Sequence, residues 1–165
     1  MAITQRIAPC LWFDDQAEEA AKFYTGIFRG SKITQVSRYG EAGREVHGRP
    51  VGSVMVVAFE LDGQAFTALN GGPVFKFNEA ISLQVRCETQ AEVDHFWEKL
   101  SAGGDPQAQQ CGWLKDRYGV SWQIIPSILP ELMADPDPAK SVRAMEAMLK
   151  MKKIDIATLK RAAAA

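Results

Sequence analysis

A chain of 165 residues with 47% hydrophobic residues can build one domain, or two small modules, around a sizeable apolar core. Its 19 Lys and Arg against 20 Asp and Glu leave a formal net charge of −1, which excludes strong general attraction to nucleic acid or to an anionic membrane. No apolar run reaches membrane-spanning length, and the N-terminal MAITQRIAP lacks a signal-peptide core. The three cysteines, Cys10, Cys87 and Cys111, form no CxxC, so neither a disulfide framework nor a zinc knuckle is indicated and a cytoplasmic setting fits.

In chain order, Arg6 to Phe13 is short and apolar with Pro9 inside it, as an edge or bulged strand allows. Asp14-Asp15 offers caps for a helix over Gln16–Phe28, whose stripe is Ala17, Ala20, Ala21, Tyr24, Ile27 and Phe28. Ser31 to Tyr39 alternates as a strand, and GEAGREVHGRPVG over Gly40–Gly52 reads as a mobile loop. Val54–Leu61 and Gln64–Leu69 flank Asp62-Gly63 as a hairpin. The pattern then restarts after Asn70-Gly71-Gly72-Pro73. Ala80–Cys87 is a strand, Thr89 with Glu92 forms a capping box for a helix to about Ala102, and a short strand is expected near Ala108.

The most informative stretch is CGWLKDRYGVSWQIIP, Cys111–Pro126, a second hairpin with Gly119 in its turn. Alternation puts Ser121, Gln123 and Ile125 on one face and Val120, Trp122 and Ile124 on the other. The first face carries a hydroxyl and an amide among apolar residues, as a small-molecule pocket wall does, while Asp116-Arg117 reads as a solvated turn pair. Overlaying Leu11-Trp12-Phe13 on Leu83-Gln84-Val85, and the helices on one another, predicts a duplicated βαβββ module. The fold class is therefore α+β: two tandem modules, 1–78 and 79–134, with a helical appendage over 135–165. In that appendage Val142, Met145, Met148 and Leu149 make an apolar stripe that needs cover.

FYTGIF (Phe23–Phe28), LNGGPVFKFNEAIS (Leu69–Ser82), CETQAEVDHFW (Cys87–Trp97), the Cys111–Pro126 hairpin and AMLKMKKIDIATL (Ala147–Leu159) resemble one branch of the vicinal-oxygen-chelate superfamily. This is the glyoxalase and bleomycin-resistance fold, and the branch is the PhnB-like one labelled demethylubiquinone methyltransferase-like. The resemblance implies curved sheets around a central cavity and, in the family's metalloenzymes, four ligands: His or Gln, Glu, His and Glu. Here those positions fall on Ala8 (or Pro9), Thr67, Ala80 and Gln123, so no metal and no cofactor is expected. His47 and His95 lie in the loop and on a helix, away from these positions. The methyltransferase label meets no Gly-rich turn between a strand and a helix.

The resulting expectation is a protein binding an aromatic or amphipathic organic molecule through Gln123, Trp113, Ser82, Thr67, Phe13 and Glu79, with Gln123 as the principal polar contact. The alternative is a metal-independent enzyme on a small organic substrate, including methyl transfer, with Glu79 as a base if buried. No catalytic residue is assigned. A homodimer is expected, with no nucleic-acid or membrane partner.

Overall fold

The structure is a computed structural model, and it describes residues 5–165. The chain divides into two compact units, Met1–Lys76 and Phe77–Ala165. The fold is α+β, with one mixed sheet in each unit.

The first unit runs β1 (Cys10–Phe13), α1 (Ala17–Ile27), β2 (Lys32–Arg38), α2 (Arg44–His47), β3 (Val54–Leu61) and β4 (Gln64–Asn70). Its sheet has the order β1-β4-β3-β2, with β1 parallel to β4 and the other pairs antiparallel. Pro9 falls just outside β1 rather than within a strand, and its carbonyl accepts the Thr67 N–H. The α1 stripe is buried as its spacing predicts from Ala17 to Ile27, while Phe28 caps the helix end and is half-buried. Ala17, Ala20 and Ala21 bring the helix close to the sheet, and Tyr24 stacks at 6.4 Å on Phe59, which in turn stacks on Phe66. The predicted Asp14-Asp15 cap is not the one used. The first N–H of α1, on Ala17, donates to the buried side chain of Asn70, which also donates to the Val54 carbonyl. Asn70 thus ties helix, β3 and β4 together from 53 residues away.

The expected mobile loop is folded onto this unit. It holds α2, His47 packs its ring on Tyr39 at 4.5 Å, and Arg49 reaches the Asp14 carbonyl.

The second unit runs β5 (Leu83–Cys87), α3 (Gln90–Ser101), β6 (Trp113–Lys115), β7 (Ser121–Pro126), α4 (Ile128–Met133), α5 (Pro138–Leu149) and α6 (Ile156–Ala164). Its sheet order is β5-β7-β6, with β5 parallel and β6 antiparallel to β7. The capping box of Thr89 and Glu92 forms as predicted. The strand expected near Ala108 is instead a 3₁₀ turn, Pro106–Ala108, where a proline removes a ladder donor. Helix α4 was not anticipated, because Pro126 and Pro130 break its pattern.

Asp116 is not a solvated turn residue. It is 3% exposed, and one carboxylate oxygen accepts the backbone N–H of Tyr118 (2.8 Å) and of Val120 (3.0 Å). The other accepts the indole N–H of Trp122 at 2.8 Å. Arg117 points elsewhere, donating to the Ala102 carbonyl at the end of α3.

The tail docks on the second unit. Ile154, Leu159 and Ala163 are buried, and Arg143 donates to the carbonyls of Ala162 and Ala163 at the end of α6. Val142, Met145 and Leu149 of the predicted stripe stay exposed. Among the described residues no helix is long and apolar enough to cross a membrane.

Two outcomes are expected from this architecture. Asp116→Ala strands two buried or half-buried backbone donors and an indole N–H, so urea denaturation should show a loss of about 2–4 kcal/mol. Asp94 is held below the ordinary aspartate value of 3.8 by its hydrogen bond to Lys153 and, next, by that to Gln90. A lowered folded-state value means that this contribution to tail docking is present above 3.8 and is lost as pH falls through the folded value. A carboxyl ¹³C titration should place Asp94 below 3.8, and Lys153→Met should move it upward.

Candidate functional site

Helix α3 covers one face of the β5-β7-β6 sheet through Val85, Ile124, Trp122 and Leu114. The opposite face is the one α3 leaves uncovered, half-buried at Trp113, Lys115 and Gln123 and buried at Ser121, and register alone decides what it presents. Gln84 is paired with Gln123 across β5 and β7, and Gln123 with Trp113 across β7 and β6. One row therefore carries two amides and an indole side by side. Gln123 donates from Nε2 to the Ser82 hydroxyl at 2.6 Å and accepts at Oε1 from Gln84 at 3.4 Å. Its amide is thus engaged on both its donor and acceptor sides, while Gln84 on the edge strand remains exposed.

Lys115 pairs with Glu79 at the margin of this face. The hydrogen bond from Lys115 is the main cause that holds the Glu79 carboxyl below its ordinary range, and Glu79 is exposed. A carboxylate in that setting is a poor proton acceptor near neutrality, which removes the base role that burial would have supported.

The first unit presents a comparable open face. Cys10, Thr67 and Ala58 form one cross-strand row, and Trp12, Leu69 and Val56 form the next. Trp12 lies across Gly71, where a Cβ would come within 2.1 Å of the ring, and donates to the Gly72 carbonyl at 2.9 Å. Phe75 stands edge-on to it at 4.9 Å.

Phe13 does not belong to this face. It is 3% exposed and lies in the core, so the aromatic residue that β1 presents on this face is Trp12. Strand alternation allows only one of these neighbours on each side, and the presence of Pro9 obscured which. Gln84 was missed for a related reason. The overlay equated Leu11 with Leu83, whereas strand pairing equates Cys10, opposite Thr67, with Gln84, opposite Gln123. The alternation Ser82–Gln84 was the signal that could have found it.

Ala8 and Ala80 are exposed and lie before their strands, and the residues that face Thr67 and Gln123 are Cys10 and Gln84. Neither the thiol and hydroxyl of the first unit nor the two neutral amides of the second suit a hard divalent cation, which takes carboxylates or imidazoles. Among the described residues no group of three or more His, Cys, Asp and Glu could hold a metal. His47 accepts the Arg49 N–H, and His95 packs on Phe96.

A nucleotide-type cofactor fits no better. The turns that lead from a strand into the long helices α1 and α3, Asp14-Asp15-Gln16 and Glu88-Thr89, are acidic and without glycine, α4 follows β7 after Ser127 alone, and Gly40 and Gly43 precede only the four-residue α2. Gly71 and Gly104 have their open sides filled by the Trp12 ring and the Lys115 carbonyl. Cys87 is fully buried, and burial pushes its thiol up to about 12, so it is not a nucleophile at neutral pH.

Residues 5–125 match the family model described as 3-demethylubiquinone-9 3-methyltransferase. The PhnB protein from Bacillus cereus is 38% identical over 74% of this chain and 100% of its own, with a TM-score of 0.63. Protein PA1353 from Pseudomonas aeruginosa is 20% identical over 74% of this chain and 98% of its own, with a TM-score of 0.58. The fosfomycin resistance protein FosX from Mesorhizobium loti is 14% identical over 81% of this chain and 99% of its own, with a TM-score of 0.55. The last two show likeness of fold alone. These neighbours are vicinal-oxygen-chelate proteins, as the sequence motifs imply. No curated protein matches the chain.

Proposed function

Since the chain belongs to the family described as 3-demethylubiquinone-9 3-methyltransferase, we propose that it uses that family's fold to bind a small organic molecule on the open face of its second unit. The ligand is aromatic or amphipathic. Gln123 is its principal polar contact, Ser82 and Gln84 hold that amide in place, Trp113 is the apolar wall and Glu79 lies at the margin with Lys115. On the first unit, Thr67 and Trp12 hold the corresponding places on that unit's own sheet face.

The observation that carries this reading is the arrangement around Gln123: a neutral amide braced from both sides on an open sheet face, one strand from an indole. A neutral donor–acceptor group beside an aromatic plane suits a planar organic molecule with a polar substituent. The donor set at the family's metal positions supports binding that does not pass through a metal. A second reading, metal-independent catalysis that includes methyl transfer, draws on the family description, and the acidic, glycine-free turns before α1 and α3 weigh against it. We further propose a homodimer in a cytoplasmic setting, a reading supported by three free cysteines and by the exposed Val142, Met145 and Leu149.

The test uses 2-naphthol, an aromatic with one hydroxyl, as the probe in fluorescence titrations. Wild-type protein should bind it saturably, and Gln123→Ala should weaken binding about tenfold or more while leaving the melting temperature nearly unchanged. Retained binding with a large fall in melting temperature would show that Gln123 only ties β5 to β7.

A further inference from the structure

The C-terminal residues past 125 lie outside the match to the family model, yet their contacts converge on the candidate site. Between the end of α5 and the start of α6 the chain runs without helix, and its carbonyls turn toward the residues just before Trp113. The Leu149 carbonyl accepts from the Gln110 side chain at 2.9 Å. The Met151 carbonyl accepts the Cys111 N–H at 2.9 Å, and the Lys152 carbonyl accepts the Gly112 N–H at 2.8 Å.

Those two residues need the support. Cys111 has φ +51, a left-handed conformation that costs a non-glycine residue, and Gly112 has φ +83. The same turn closes on itself through the backbone bonds between Gln110 and Trp113, and the Gly112 carbonyl accepts the N–H of Ile124, the neighbour of Gln123. The turn therefore fixes where β6 begins, and β6 begins at Trp113.

The far end of the same segment is held by one side chain. Gln90, the first residue of α3, donates to the Ile154 carbonyl at 3.1 Å and accepts the Ile156 N–H at 2.9 Å. Between those points Lys153 pairs with Asp94, and Ile154 is buried beside Gly112, where a Cβ would come within 3.2 Å of it. Asp155 caps α6 through the Thr158 N–H. Every residue of Met151–Ile156 thus has a defined contact, which accounts for a motif that the ligand site itself does not use.

We propose that Leu149–Ile156 is a strap that positions Trp113 for the ligand, with Gln90 as the positioning residue that closes it, an inference that rests on the open face of the second unit being the binding surface. The strap is held by a few polar contacts around one buried side chain, so it opens as a local unit ahead of global unfolding. Closed, it holds the Cys111–Gly112 turn and with it the indole opposite Gln123. By linkage, a ligand that packs against the positioned indole favours the closed strap.

The test uses the full-length protein and needs no ligand. Amide hydrogen exchange and the Trp113 indole ¹H–¹⁵N signal are compared between wild type and Gln90→Ala. The amides of Cys111, Gly112 and Ile156 should exchange about tenfold or more faster in the variant, and the indole signal should shift, while Val57 and Phe59 in the first unit keep their rates. Faster exchange at Ile156 alone, with Cys111, Gly112 and the indole unchanged, would overturn the proposal. Lys153→Met removes only an exposed ion pair, and it should speed the same amides about twofold. Unchanged exchange in Lys153→Met overturns the proposal even where Gln90→Ala does not fold. A negative result here leaves the ligand reading of Gln123 standing, and failure of that reading leaves the coupling of strap to indole measurable.

Discussion

A carboxylate taken out of water must find donors for its oxygens, and Asp116 finds three within its own hairpin. Two are backbone N–H groups of the turn, which closes the loop between β6 and β7. The third is the indole of Trp122, which anchors the covered face of β7 against the same turn. A hairpin so pinned has no freedom to slip by one residue, and a one-residue slip would carry Gln123 into the core and Trp122 into solvent. The pairing of Trp113 with Gln123, and of Gln123 with Gln84, follows from that single register.

The chemistry of the open face then follows from which residues the register selects. Amides and hydroxyls keep both donor and acceptor capacity at every pH at which the protein is folded, and they carry no charge to hold a cation. The carboxylate at its margin, Glu79, is paired with Lys115. A surface of this chemistry suits recognition by shape and hydrogen-bonding pattern, and the family label by itself does not put a methyl donor on it. The tail adds a constraint from outside the matched core, since its carbonyls complete the turn from which β6 starts.

Much of this was legible in the amino-acid sequence, and the gaps have specific causes. Periodicity located α1, β3, β4, α3 and the last hairpin, and the Thr89–Glu92 box and Asp62-Gly63 turn are local signals that no distant contact overrides. The alternation of β7 separated Gln123 from Trp122 correctly. What failed depended on side-chain partners that periodicity does not show, or on a strand too short to set its own phase. The cap of α1 comes from Asn70, which no window around Asp14 contains. Asp116 reads as a turn acid until Trp122 folds back onto it. Phe13 and Trp12 differ by one step of alternation in a strand of four residues, too short for the pattern to set its own phase beside a proline. The strap motif was visible as a string of residues, but its meaning lay in Gln90 and Gly112.

The central claim is that a neutral, braced amide row binds an organic molecule without a metal. Native mass spectrometry of the full-length protein, with metal analysis on the same sample, addresses it most directly. The account predicts a mass increment from a bound organic compound that Gln123→Ala removes. A stoichiometric divalent metal that survives chelator dialysis and is lost in Gln123→Ala would contradict it.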